Sequence, residues 1–450
     1  MRVARILAVL MASSASVALA QQHVLAPTPP MGWNSWDSYG LTINEQQFRD
    51  NVRVEADKLK PFGWTYAVID EGWFLRNPQD RPHPERLQYE IDANGRYIPV
   101  PNRFPSALLP SGENAGFAAL GRWVHAQGLR FGIHIVRGIP RESVRRNLPI
   151  EGSSFHVGDA ADTTDACPWD PTNWGVKRNA AGQAWYDALL RQYAAWGVDF
   201  LKVDCIADHP YKADEIRQIH LAIEHSGRLI VLSLSPGPTS LSHADEVASL
   251  SQMWRVSNDV WDIWASDKPF PRSVKAQFPV LAEWASHTKT GAWPDADMLP
   301  FGELRPKPDV GPGPRKSRLS LTEERTMLTL WSMARSPLIL GANLTLLDEP
   351  TVRLITDRDL IRIDQHATAG RQVLQDGDLI AWTADLPGGE RALAIFNLGD
   401  TPLLVDRPLA ALGLPAQAQH LRESGNTREL RGSSIHKDLD PHGSAVFFVR

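Results

Sequence analysis

Apolar positions follow two alternating rhythms through the first three-quarters of the chain. Short runs rich in Val, Ile, Leu and Trp read as strands at 31–35, 66–70, 130–135, 199–204, 229–234, 252–256, 291–293 and 337–340. Between most of them, apolar residues fall three and four positions apart, which predicts amphipathic helices over 45–59, 116–127, 181–196, 214–225 and 321–334. Several of these helices run into a glycine and then a strand: Gly63, Gly128 and Gly197 stand at such junctions. Strand–helix alternation with glycine stops predicts an α/β fold with a parallel sheet and crossover helices. Eight strands suit a closed (β/α)8 TIM barrel over 25–365. An open doubly wound sheet is the alternative, but no glycine-rich phosphate loop follows the first strand.

The rhythm changes after about residue 365. Runs at 379–385, 391–398, 403–405 and 445–449 alternate or are β-branched, no helical pattern separates them, and Pro387-Gly-Gly389 reads as a hairpin turn. A C-terminal antiparallel β-sandwich over 370–450 is expected. The connections after the second and third strands are long and rich in Pro, Asn, Asp and Arg, as pocket walls are. At the other end, Arg2 and Arg5 precede an apolar run at 6–12, and Ala18-Leu-Ala20 offers a cleavage site. Residues 1–20 therefore read as a signal peptide, and the protein as exported to the periplasm or secreted.

Composition narrows the partners. The net charge of the 450-residue chain is −5 with no Lys/Arg block, which argues against nucleic acid and anionic membranes. No later segment is long and apolar enough to span a bilayer. Trp outnumbers Tyr, 16 to 7. Large aromatic cores explain that excess, and platforms for the apolar faces of sugars would also draw on it.

In a barrel the chemistry sits at the C-terminal strand ends. Along 199–204 the strand period places Phe200, Lys202 and Asp204 on one face, so an interior face ends in an ammonium and a carboxylate. Two buried charges cost stability unless they are paired, and a carboxylate held ionised by a lysine is suited to nucleophilic attack. Other strand ends carry Trp36 and Asp37, Asp70 and Glu71, His134 and Arg137, Ser233 and Ser235, Arg255, Asp259 and Asp262, and Asp295 and Asp297. A metal centre could recruit Asp295 and Asp297, but no second histidine accompanies His134, so neither a metal nor another cofactor is expected. A sugar-binding module would use Trp and Asp without needing a buried Lys–Asp pair. A glycosidase needs two carboxyl groups, one ionised and one protonated, flanking the scissile bond.

Five segments then occur in order: Met31-Gly-Trp-Asn-Ser-Trp36, Ile69-Asp-Glu-Gly-Trp73, Leu201-Lys-Val-Asp-Cys205, Trp254-Arg-Val-Ser-Asn-Asp259 and Trp293-Pro-Asp-Ala-Asp-Met298. Together they resemble glycoside hydrolase family 27, the α-galactosidase (melibiase) family, along the whole chain after the leader. The resemblance implies a (β/α)8 barrel with a C-terminal β-sandwich and a retaining, double-displacement mechanism without metal. It implies that Asp204 is the nucleophile and Asp259 the general acid/base, with Asp262 the rival for the second role. Trp36, Asp70, Lys202 and Arg255 would bind the sugar, and Cys167 and Cys205 would form a disulfide between neighbouring loops. The implied substrates are oligosaccharides or polysaccharides ending in galactose or arabinopyranose.

The chain departs from the family pattern at three places. Glu71 stands where the α-galactosidases commonly have a second aspartate. Its extra methylene would intrude where the hydroxymethyl group of galactose sits, whereas β-L-arabinopyranose has the same ring configuration without that group. Hydrolysis of terminal α-D-galactosyl residues is thus the first expectation, and β-L-arabinopyranosidase activity the alternative. His134 replaces a common tyrosine and could still donate one hydrogen bond to the sugar, and Ser233-Leu-Ser235-Pro-Gly237 lacks a bulky acidic loop, leaving Ser235 to meet the sugar's 2-position.

Overall fold

The structure is a computed structural model that describes residues 24–80, 83, 86–305, 314–426 and 430–450. The leader expected at 1–20 lies outside the described residues. Eight strands form one parallel sheet: β1 (Met31–Asn34), β2 (Tyr66–Ile69), β3 (Arg130–Val136), β4 (Phe200–Asp204), β5 (Val231–Leu234), β6 (Met253–Arg255), β7 (Trp293–Asp295) and β8 (Leu338–Leu340). Their order is β7-β6-β5-β4-β3-β2-β1-β8. The seam between β7 and β8 has no continuous ladder. Leu299, just past β7, bridges it in parallel to Leu340, with Leu299 N donating to the Ile339 carbonyl at 2.8 Å and Gly341 N to the Leu299 carbonyl at 3.1 Å. The sheet is thereby closed into a barrel.

Strand β7 lies two residues later than the predicted 291–293, because Pro294 reads as a strand stop. Pro294 is tolerated since β7 pairs along its length with β6 alone, so its missing N–H leaves no gap on the other side. Gly32 is required where β1 meets β2: a Cβ there would stand 2.1 Å from the Tyr66 carbonyl oxygen.

Helices follow the strands: α1 (Glu45–Val54), α2 (Ala118–Ala126), α3 (Ala180–Trp196), α4 (Ala213–Ser226), α5 (Ala244–Leu250), α6 (Gln277–Trp284), α7 (Leu321–Ala334), α8 (Glu349–Ile355) and α9 (Arg358–His366). Their starts are chemically marked. Asn44 and Gln47 form a reciprocal capping box on α1, and Ser320 and Glu323 do so on α7. The helix predicted over 45–59 is regular only to Val54, then widens into a π turn at Glu55–Leu59 and tightens at Lys60–Phe62. Pro61 has no N–H to continue the ladder, which accounts for the break.

Eight antiparallel strands complete the fold: β9 (Thr368–Asp376), β10 (Leu379–Asp385), β11 (Arg391–Asn397), β12 (Leu403–Pro408), β13 (Ala418–Glu423), β14 (Leu430–Gly432), β15 (Ser434–Leu439) and β16 (Ser444–Val449). Six make a sheet in the order β9-β10-β11-β16-β13-β14, and β12 pairs with β15 as a separate ribbon. The strand period divides the work of β10 and β11. Leu379, Ala381, Leu393 and Ile395 pack in one core with Val405, Ile435 and Leu439 of the ribbon. Ile380, Trp382, Ala394 and Phe396 face the other way and belong to the core continuous with the barrel. Half of the sixteen tryptophans are fully buried in the core: Trp33, Trp64, Trp73, Trp185, Trp254, Trp293, Trp331 and Trp382.

Candidate active site

The ends of β1, β2 and β4 meet at Asp70. Its Oδ2 accepts from Asn34 Nδ2 at 2.7 Å and from Lys202 Nζ at 2.9 Å, while Oδ1 accepts from the Glu71 amide at 2.8 Å. Burial alone would raise the Asp70 carboxyl, but the Lys202 ammonium, His134 and these donors outweigh it and hold the group well below the ordinary carboxylate range. Burial would likewise discharge Lys202, yet Asp70 and then Asp204 keep it charged. Lys202 is therefore bonded to Asp70, not to Asp204 as strand alternation suggested. Side chains on one face of a strand stand about two residues apart, and the long lysine side chain reaches past β3 to the end of β2 instead of along its own strand.

Asp204 ends β4 in different company. Its Oδ2 lies 3.2 Å from His134 Nε2, and its Oδ1 accepts from the Cys205 amide at 2.6 Å. Burial opposes ionisation here too, and His134, followed by Lys202, reverses it, so the Asp204 carboxyl lies below its usual range. His134 was expected to reach the sugar; its Nε2 turns onto Asp204, and its buried Nδ1 has no hydrogen-bond partner among the described residues. The backbone around Asp204 is held from below. The Arg137 amide donates to the Asp204 carbonyl at 3.1 Å, and Arg137 Nε donates to the Cys205 carbonyl at 2.7 Å. Arg137 is anchored in turn by Asp165 and by Glu215, whose other oxygen accepts from Tyr186 Oη. Cys167 and Cys205 form the expected disulfide, with Cα atoms 5.9 Å apart.

Arg255 organises the ends of β6 and β7. Its Nη1 stands 2.7 Å from Asp297 Oδ1, and its Nη2 lies 3.3 Å from Asp259 Oδ1. Its charge is also sensed by Asp295 and Asp204, so both candidate catalytic carboxylates lie within its field. Asp297 spends its other oxygen on the Val260 amide at 2.7 Å. Burial, resisted by Arg255, pushes its carboxyl up to about 7. Asp259 is 36% exposed, whereas Asp262 is buried and gripped by Arg315 at 2.5 and 3.0 Å and by Arg318 at 3.2 and 3.3 Å. Asp262 ties the segment after β6 to the one after β7. Both of its oxygens are committed, so it is not a free acid.

Trp36 is half-buried just past β1. The Arg305 guanidinium stacks on it at 4.5 Å and lies 5.3 Å from Trp261, while Arg305 Nε donates to the Trp36 carbonyl at 2.9 Å. Sequence patterning missed Arg305, which sits in an aperiodic loop after β7. It also gave Asp37 no role. Asp37 is 2% exposed, its Oδ2 has no hydrogen-bond partner among the described residues, and burial followed by the charge of Asp297 raises its carboxyl to about 8. Gly341 makes room for it: a Cβ at that position would stand 2.0 Å from Asp37 Oδ2. Ser235 is buried after β5, its amide donating to the Val203 carbonyl at 2.9 Å. Glu71 is 8% exposed, immediately after Asp70, and its charge is felt by the Tyr97 hydroxyl.

Carboxyl groups in contrasting surroundings at the mouth of a (β/α)8 barrel are what cleavage of a glycosidic bond requires. A family model described as alpha galactosidase A (Melibiase_2) matches residues 179–366. A β-L-arabinopyranosidase of family 27 from Geobacillus stearothermophilus is 38% identical, with a TM-score of 0.86 over 94% of this chain and 96% of that one. A variant of the same enzyme, solved in complex with arabinose, is 37% identical with a TM-score of 0.86, covering 94% and 97% of the two chains. The α-galactosidase of Coffea arabica is 26% identical over 433 residues, 94% of each protein. The chain belongs to glycoside hydrolase family 27.

Proposed function

We propose that the protein is a retaining exo-glycosidase that removes terminal β-L-arabinopyranosyl residues, using Asp204 as nucleophile and Asp259 as general acid/base. Asp204 attacks the anomeric carbon while Asp259 delivers a proton to the departing glycosidic oxygen. Asp259 then takes a proton from water, which displaces Asp204 and returns the sugar with its original configuration. Ionisation of Asp204 is supported by His134, Lys202 and the Cys205 amide. Asp70, Lys202 and Arg255 offer fixed acceptors and donors for ring hydroxyls, Trp36 offers a face, and Ser235 lies on the β5 side.

The observation that carries the choice of sugar is Glu71. It is buried and follows Asp70 of the Asp70–Lys202 pair directly in sequence, and its extra methylene would take up space that a hydroxymethyl group needs. The similarity to the Geobacillus enzyme points the same way. Release of α-D-galactosyl residues is the second reading, favoured by the likeness to the Coffea enzyme. Steric discrimination on this scale is worth about 1–3 kcal/mol, so a secondary galactosidase activity is expected. Matched aryl β-L-arabinopyranoside and α-D-galactoside separate the readings. The arabinoside should lead in kcat/KM, and Glu71→Asp should shift the ratio toward galactoside by about tenfold or more; an unmoved ratio removes Glu71 from the argument.

The reading includes export. The leader pattern supports it, and the Cys167–Cys205 disulfide suits an oxidising compartment. N-terminal sequencing of the mature protein should begin at Gln21.

A further inference from the structure

A second cleft lies between the long segments that follow β2 and β3. Its volume is about 280 Å³, and Tyr89, Tyr97, Arg141, Glu142 and Trp169 line it. That is just below the ~300 to 1,000 Å³ of drug-sized ligand pockets, and suits one ring more than an extended chain. Its walls are aromatic, with charged groups at the edge. Trp169 is 39% exposed, unlike the core tryptophans. Arg141 stacks on Trp174 at 3.7 Å, and its Nε is shielded from solvent without a hydrogen-bond partner among the described residues. A flat apolar face beside fixed hydrogen-bonding groups is what a pyranose ring requires.

The cleft is wired to the catalytic strand ends. Tyr97 Oη donates to Asn173 Oδ1 at 2.9 Å, and Asn173 Nδ2 donates to the Val136 and Arg137 carbonyls at the end of β3. Tyr97 also stacks on Phe74 at 4.1 Å, three residues beyond Glu71. Trp169 follows Cys167 by two residues, and Cys167 is bonded to the residue after Asp204. With the cysteine Cα atoms 5.9 Å apart and ~3.6 Å per extended residue, the Trp169 Cα lies within ~13 Å of that of Cys205. The Trp169 wall of the cleft is thus tethered close to the strand end that carries Asp204.

We propose that this cleft is the leaving-group subsite, which binds the neutral pyranose to which the terminal residue is attached, with Trp169 and Tyr89 as stacking faces and Arg141 as a hydroxyl donor. The inference rests on the glycosidase reading above and adds that the natural substrate is a glycoside of a sugar. The disulfide then has a second consequence: it fixes the subsite relative to Asp204.

The test compares two substrates with the same terminal sugar: a glycosyl fluoride, whose leaving group is a single atom, and a disaccharide. In the full-length protein, Trp169→Ala should lower kcat/KM for the disaccharide at least tenfold more than for the fluoride, mainly through KM. Tyr89→Ala, a change in a separate segment, should do the same to a smaller extent and guards against misfolding of one variant. Equal losses on both substrates, or no loss in either variant, overturn the subsite while leaving hydrolysis intact. A wild-type protein that turns over neither substrate overturns the catalytic reading and the subsite with it.

Discussion

Lys202 and Asp70 form a closed ion pair across two barrel strands, Nζ to Oδ2 at 2.9 Å, with the Asp70 side chain 2% exposed. The pair fixes the orientation of an acceptor at the end of β2 and keeps a cation near Asp204, the proposed nucleophile, without a direct bond to it. Removing one partner leaves an uncompensated buried charge, which costs about 3–5 kcal/mol. Lys202→Met should therefore unfold at much lower denaturant than wild type, and Lys202→Met/Asp70→Asn should recover part of the loss. The sign with pH follows from Asp70. Its folded pKa is depressed, so its stabilisation is present above the unfolded value near ~4 and fades as pH falls below it. Urea titrations at pH 7 and pH 3 check both points: the gap between Lys202→Met and wild type should narrow at the lower pH.

The bond between His134 and Asp204 predicts a kinetic signature. His134 contributes more than Lys202 to holding Asp204 ionised. Replacing it with phenylalanine removes that support, so the Asp204 pKa rises. The acid limb of the kcat/KM profile should then move to higher pH, with activity above the limb reduced. A purely structural loss would scale the whole profile down and leave the limb in place.

Asp37 supplies the opposite sign. Burial and the charge of Asp297 raise its carboxyl to about 8, against an unfolded value near ~4. A raised acid contributes stability that is complete below the unfolded value and is lost as pH climbs through the folded one. The wild-type protein should lose up to about 1.4 kcal/mol per pH unit from this group between those values. Asp37→Asn keeps the shape without the titration. Its melting temperature should gain on that of the wild type from pH 5 to pH 9, and parallel curves would remove Asp37 from the balance.

The legible parts of this chain are those where period and punctuation agree. The runs at 66–70, 199–204 and 229–234 and the helix 321–334 map onto the observed elements within two residues, because apolar rhythm and glycine or polar caps mark the same boundaries. The shift at β7 came from Pro294, whose meaning depends on which edge is paired, a long-range fact. The site divides along the same line. The positions of Asp204, Asp70, Glu71 and Arg255 follow from where strands end. Their partners do not: Lys202 bonds across to β2, His134 turns onto Asp204, and Asp262 is claimed by Arg315 and Arg318. Arg305 and Trp169, both in aperiodic loops, carry no local signal that would single them out.

The contrast between Asp259 and Asp262 gives the sharpest test of the acid assignment. Asp259 is 36% exposed and touches Arg255 at 3.3 Å, so it is open to a leaving oxygen and to water. Asp262 is buried, and its pKa is lowered because Arg315 and Arg318 outweigh its desolvation. It is held as an anion and has no proton to give. Asp259→Ala should therefore be selective. A leaving group that departs as a stable anion, such as dinitrophenolate, needs little protonation and should lose far less in its first step than an alkyl glycoside does. Acid catalysis by a positioned side chain is worth about 10²–10⁴-fold, which sets the expected gap. Asp262→Ala should show no such selectivity, because its effect travels through the two arginines and the segments they hold. It should lower stability and reduce turnover of both substrates by a similar factor. If Asp262→Ala is the selective variant and Asp259→Ala is not, the acid/base role passes to Asp262.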